Sequence, residues 1–173
     1  MSLRKAFRLF WVGGLVLFAA VLALHLPLTL TAVPNGILDH QSAGTAAEVN
    51  RIQAAWMAAG VIGTARFAMI GDLIFIGVYG TGCVLGGWYY MRTGHGFVRL
   101  LGMAALIAGF MFLITDYGET LAQLVQLLRG RGGSNLAAFA ATMQPIKVVA
   151  WITTVLSITF AFLLRRALGR ARA

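Results

Sequence analysis

Acidic residues are scarce in this chain: five Asp and Glu stand against fourteen Lys and Arg among 173 residues. Charged residues of both signs make up only 11% of the sequence. A soluble domain carries about 25%, so this composition excludes an ordinary water-soluble surface. There is one cysteine, Cys83, which excludes an intramolecular disulfide and any cysteine-pair metal site. The three histidines are His25, His40 and His95. Only His25 falls in an apolar stretch, so a pair of haem ligands and the Glu-x-x-His pattern of di-iron bundles are both missing. No Walker loop, HExxH helix or nucleophile elbow is present. The sequence therefore points to no cofactor or metal, and no standard motif identifies a catalytic residue.

Long apolar runs are abundant. Hydrophobic residues account for 60% of the chain and the mean hydropathy is +0.83. Runs of about 20 apolar residues are long enough to span a bilayer. They predict an all-α polytopic membrane protein, one domain over 1–173, with four transmembrane helices at about 9–30, 67–91, 98–119 and 143–164. The first run follows Arg4, Lys5 and Arg8 and exceeds the apolar core of a secretory signal, so it reads as a retained span. Pro34-Asn35-Gly36 marks a turn. Between spans one and two, residues 31–66 are less apolar. Val49, Ile52 and Trp56 recur there at helical spacing, while Glu48, Asn50, Arg51 and Gln53 fill much of the rest, which predicts an amphipathic helix or an extension of the second span. A straight helix from Thr45 to Met91 would be about 70 Å long, against a hydrocarbon core of about 30 Å, so a bend near Gly60 or Gly63, or a projection into water, is required.

Basic residues set an orientation. With both termini inside, nine lie on the inner side, including Arg92, Arg99 and Arg165, Arg166, Arg170 and Arg172 of the tail. Four, Arg51, Arg66, Arg129 and Arg131, lie outside. The positive-inside rule thus places both termini in the cytoplasm and 31–66 in the periplasm. Basic residues at helix ends meet lipid, not nucleic acid. Glycines crowd the second span; Gly82 and Gly86 form a small-xxx-small pair, whose ordinary meaning is close helix packing.

The informative residues are the ionisable ones inside the spans. Asp116 and Glu119 lie three apart on one helix face, and Gln123 and Gln126 continue that stripe. A carboxylate facing lipid at a helix centre costs about 2.5–3.5 kcal/mol, so these acids face other helices, a cavity or the outer rim. Under this topology His25, Asp72, Asp116, Glu119 and Lys147 fall at a similar outer-leaflet depth on four helices, with Tyr79 on the same face as Asp72. The expectation is a polar pocket of Asp72, Asp116, Glu119, Lys147, His25 and Tyr79, with Lys147 pairing chiefly with Asp116. Each residue also has a plainer reading. Lys147 with an acid can simply fix helix register; Asp72 can mark a helix rim; Tyr79, Trp151 and Cys83 can be packing; His40 and His95 read as loop residues.

Gly71-Asp72-x-x-Phe75-x-x-x-Tyr79, Asp116-x-x-Glu119 and Lys147 together resemble small four-helix bacterial inner-membrane proteins of no assigned function. The resemblance covers spans two to four, departs at Thr120 where those proteins often have Asn, and implies no activity. Three function classes follow from the residues: a structural or accessory subunit, or a binding subunit with a polar outer-leaflet pocket; a small-solute or cation transporter, proton-linked through its intramembrane acids; and an outer-leaflet lipid-modifying enzyme with Asp116 or Glu119 as general acid/base. The partners expected are the bilayer and either a small solute or another membrane subunit.

Overall fold

Proline and glycine place the breaks between helices. The computed structural model describes residues 1–170; Arg172 and the side chain of Arg170 lie outside the described residues. Helix α1 is Leu3–His25 and α2 is Ile37–Ser42. Helix α3 is Ala46–Ala58, α4 Ile62–Thr93, α5 Phe97–Arg129 and α6 Ser134–Arg170. The fold is all-α: α1, α4, α5 and α6 are the four apolar helices long enough to cross a membrane, and they form the bundle the sequence predicts. Many of their large apolar side chains point outward, among them Leu9, Val16, Phe67, Ile107, Val149 and Phe160. A soluble protein would bury such a surface, whereas lipid accepts it.

The first span reaches Leu28, close to the expected end near Leu30, but its α-helical part α1 stops at His25. Pro27 disfavours the α-conformation in the residue before it, and Leu26–Leu28 form a 3-10 turn instead. The turn expected at 34–36 is present, with Gly36 at a φ of 57°, a conformation that only glycine adopts cheaply. The amphipathic segment is a separate helix. Thr45 caps α3 by accepting the Glu48 N–H at 3.2 Å, one half of a Thr-x-x-Glu capping box. Gly60, at a φ of 73°, ends it: Val61 N–H bonds back to Trp56 C=O at 2.9 Å and Gly60 N–H to Met57 C=O at 3.0 Å. These two bonds are the Schellman closure of a helix C-terminus. The break predicted near Gly60 is therefore real. Gly130 ends α5 in the same way.

The chain divides into two compact units, and each of the four long helices contributes to both. Unit 1 comprises Met1–Leu15, Gly77–Ile114 and Lys147–Ala173. Its helices approach through glycine. A Cβ on Gly82 would lie 2.8 Å from the backbone nitrogen of Trp11 on α1, and one on Gly87 would collide with the backbone of Leu106 on α5. Gly86, the other member of the small-xxx-small pair, accommodates Phe7 of α1 and Ile158 of α6. Aromatic contacts fill the remainder: Trp11 against Tyr79, Tyr79 edge-on to Phe112, and Phe7 between Trp11, Tyr89 and Tyr90.

Unit 2 comprises Val16–Ile76 and Thr115–Ile146. Its core is aliphatic, with Leu28, Val33, Ile52, Met69 and Leu127 packed around Trp56. Trp56 is fully buried and donates its indole N–H to Leu28 C=O at 2.9 Å. Thus α3 turns its Val49-Ile52-Trp56 face into this core and does not lie apart.

Candidate functional site

The helices α4, α5 and α6 are long for a bilayer. At about 1.5 Å per residue α5 runs roughly 50 Å, well beyond a hydrocarbon core of about 30 Å, so part of it extends past the apolar slab. Apart from Arg99 in its first turn, the polar residues of α5 are confined to its C-terminal half. Within Thr115–Gln126 six polar side chains are buried: Thr115, Asp116, Glu119, Thr120, Gln123 and Gln126. Glu119 is fully enclosed at 0% exposure and Asp116 nearly so at 6%. The stripe read from their spacing is thus an interior face. Glu119 Oε1 accepts from Gln123 Nε2 at 3.2 Å. Gln126 donates to Ala122 C=O and accepts the Gly133 N–H at 3.0 Å, tying α5 to the start of α6. Arg66 of α4 donates to Leu127 C=O, and Tyr117 of α5 donates to Leu73 C=O at 3.0 Å.

A second polar group lies between α1 and α4. Gly71 sits against Val21 and Leu24, which brings the end of α1 alongside the next residue of α4. There His25 Nε2 lies 3.0 Å from Asp72 Oδ2, with both side chains largely buried. The sequence placed these two residues at one depth but offered Lys147 as the cation for the acids. The structure supplies a histidine for Asp72. Asp72, His25, Asp116 and Glu119, four of the six pocket residues expected from the sequence, therefore belong to unit 2. Tyr79 and Lys147 belong to unit 1. In that unit Tyr79 is buried, and its hydroxyl accepts from the indole N–H of Trp151 at 3.2 Å. Lys147 is the first residue of the unit 1 part of α6 and is partly buried.

His40 corrects the sequence reading. It was expected in a loop, but it lies in α2 and is 1% exposed. Its ring packs on Trp56 with centroids 5.3 Å apart, and its Nε2 lies 3.5 Å from the amide nitrogen of Gln53. Burial pushes the imidazole down to about 4, so it is neutral in the folded protein. His40 Nδ1 and Gln53 Oε1 are buried with no hydrogen-bond partner among the described residues. A signal for this cluster existed. Gln53 stands four residues after Val49 and three before Trp56, on the apolar face and not opposite it. His95, by contrast, lies in the exposed break between α4 and α5, as expected.

The remaining acids of unit 2 are structural. Asp39 accepts from the backbone and side chain of Asn35 at 3.0 and 2.9 Å, closing the turn. Glu48 takes the Arg51 guanidinium on both oxygens, and those hydrogen bonds hold its carboxyl below the usual range. Arg51 also reaches Ala32 C=O at 2.8 Å. Among the described residues no set of three His, Cys, Asp or Glu side chains is gathered as metal ligands would be. What unit 2 offers chemically is an acid-rich, amide-lined interior with one histidine–carboxylate contact. No family model matches this chain, and comparison with curated proteins and with solved structures finds no match either.

Proposed function

We propose that the protein is a multi-pass protein of a bacterial inner membrane, with both termini in the cytoplasm, that acts as a binding subunit for a small polar or cationic solute held in the polar interior of unit 2. The observation that carries this reading is the burial of Asp116 and Glu119 on the α5 face that also presents Gln123 and Gln126, within the unit that holds the His25–Asp72 contact. Buried ionisable groups near a membrane are expensive and tend to mark ligand or proton pathways. Packing alone asks for leucine at such positions, since replacing buried ionic groups by apolar ones is often neutral or stabilising. The amide side chains add neutral donors and acceptors that orient a ligand without repelling it. The balance of charge favours a cation, because all five acids of the chain lie in unit 2 with four arginines.

The experiment is a thermal-stability screen of the full chain in neutral detergent with sodium, potassium, ammonium, tetramethylammonium and putrescine as probes. A ligand that binds only the folded protein raises its stability in proportion to the logarithm of its concentration. At least one probe is expected to do so, and E119Q and D116N are expected to abolish the shift while the variants remain folded. If no probe shifts the wild type, or if the shift persists in both variants, the binding reading fails and the polar face is left with an assembly role. The His25–Asp72 contact favours one extension of this reading, proton-linked transport, because histidine and carboxylate can pass a proton between them. Acidification of reconstituted liposomes driven by the stabilising probe, and lost in D72N, is the outcome expected of it.

A further inference from the structure

Unit 1 contains a cleft of about 590 Å³ that the polar interior of unit 2 does not involve. Three helices line it with one face each. Arg4, Phe7, Arg8 and Trp11 follow one another at helical spacing on α1, as do Ile158, Phe162, Arg165 and Arg166 on α6, and Tyr89 and Tyr90 close it from α4. Four arginines thus line one aromatic-walled cleft, and no Asp or Glu occurs anywhere in unit 1. Among the described residues none of the four forms an ion pair. Like charges gathered in this way repel one another, and an anion relieves that repulsion.

One arginine is already held in position. Arg165 Nη1 donates to Tyr89 Oη at 3.1 Å and to Thr93 Oγ1 at 2.8 Å, and its guanidinium lies 5.3 Å from the centre of the Tyr89 ring. The Thr93 hydroxyl in turn donates to Tyr89 C=O at 2.8 Å. A guanidinium fixed by neutral oxygens and stacked on an aromatic ring keeps its other N–H groups and its whole charge for a ligand. Forked donors of this kind match the oxygens of a phosphate. Phe7, Trp11, Ile158 and Phe162 supply an apolar wall beside them, of which Phe162 is 48% exposed.

We propose that this cleft binds a phosphate group, the guanidiniums of Arg4, Arg8, Arg165 and Arg166 gripping its oxygens and the aromatic wall receiving the body that carries it. Two sources share this chemistry, an anionic phospholipid headgroup at the basic end of the bundle and a free phosphorylated solute. Basic pockets between transmembrane helices take lipid headgroups in this manner.

The test uses the full chain in neutral detergent, with three probes: short-chain phosphatidylglycerol, phosphatidylcholine of the same chain length, and inorganic pyrophosphate. Thermal stability and direct binding are read for each. Phosphatidylglycerol is expected to stabilise the protein and phosphatidylcholine to do so much less. The exposed positions allow R4Q and R166Q without opening a core, and the double variant is expected to bind phosphatidylglycerol roughly thirtyfold more weakly. Removing two arginines of unit 2 instead, R129Q with R131Q, is expected to leave the affinity unchanged. Stabilisation by phosphatidylglycerol but not pyrophosphate identifies a lipid headgroup; stabilisation by pyrophosphate, lost in R4Q/R166Q, identifies a soluble phosphate. The proposal is overturned if the wild type responds to neither anion beyond the phosphatidylcholine control. It is equally overturned if the two double variants lose affinity to the same extent, since that would be an effect of net charge alone. If R4Q/R166Q does not fold, R4Q alone takes its place, compared with R129Q alone, and is expected to bind phosphatidylglycerol roughly fivefold more weakly.

Discussion

Unit 1 and unit 2 are assembled from the same four long helices, yet they differ in both charge and packing. Ten of the fourteen basic residues and none of the acids belong to unit 1; all five acids and the remaining four basic residues belong to unit 2. Unit 1 brings backbones together at Gly82 and Gly87 and fills the gaps with aromatic rings. Unit 2 packs aliphatic side chains around one tryptophan and buries a set of polar groups beside them. The difference is of the kind that lipid and water impose on helix packing. Where lipid surrounds the helices, burial against a neighbour brings no hydrophobic gain, so association relies on close van der Waals fit. Where α2 and α3 add water-exposed polar faces, the hydrophobic effect operates again and a core of the soluble kind can form.

Replacing Trp56 should break this contrast most severely. The side chain is fully buried, anchors the core of unit 2 and donates its only polar hydrogen to Leu28. Trp56→Ala is expected to cost about 3–5 kcal/mol, read as a loss of stability in denaturant. Hydrogen exchange should show α2 and α3 deprotected, while amides of 80–90 in unit 1 keep their protection. Deprotection spread evenly over both units would mean that Trp56 is not specific to one of them.

His40 sharpens the contrast through pH. Its folded-state value lies near 4, against 6.5 for the exposed group. Between those limits the unfolded chain carries the proton and the folded chain does not, so stability falls as pH drops from 6.5 towards 4 and is unaffected above 6.5. The loss across that window is about 3 kcal/mol. His40→Leu should flatten the acid limb of the stability curve by that amount and leave the neutral plateau little changed. An acid limb that is the same in both proteins would show that His40 charges without unfolding unit 2.

Gly82→Ala is the corresponding test of unit 1. The added Cβ would meet the backbone of α1 at Trp11, which cannot rotate away as a side chain could. Overpacking of this kind costs about 1–3 kcal/mol. The same substitution at Gly63, where an added Cβ would meet nothing within 4 Å, should be neutral or slightly stabilising in helix α4. Comparable losses at both glycines would remove close backbone approach as the explanation for unit 1.

How far these features could be read from the sequence depended on range. The spans were legible because twenty apolar residues have few other uses, and so was the break at Gly60, because a bilayer limits helix length. The interior face of α5 was legible too, since Asp116, Glu119, Gln123 and Gln126 share one stripe. The change from α-helix to 3-10 turn at the end of the first span was not legible, because Leu26 and Leu28 are apolar and only Pro27 argues against a continuous α-helix. His40 was missed because α2 has six residues, too few to show a period, and its burial is decided by Trp56 and Gln53 far along the chain. The arginine cleft was invisible for the same reason. Arg4 and Arg8 read as an ordinary basic leader and Arg165 and Arg166 as an ordinary basic tail until the fold places the two helix ends around Tyr89 and Tyr90.

Salt gives the smallest effect and separates the units by sign. Raising sodium chloride from about 0.01 M to about 0.15 M shortens the reach of a charge from about 30 Å to about 8 Å. In unit 1 the charged side chains are all positive, so screening removes repulsion, and amides of 4–12 and 158–166 should exchange more slowly, by roughly two- to threefold. In unit 2 the same screening weakens attraction, chiefly between Glu48 and Arg51, so amides of 46–58 should hold steady or exchange slightly faster. Chloride suits the purpose because it screens without offering the forked oxygens that guanidinium groups prefer. A change of the same sign and size in both units would show that the uneven distribution of charge along the sequence has no electrostatic consequence for the folded protein. Opposite signs would show that unit 1 bears the cost of its unbalanced arginines until an anion offsets it.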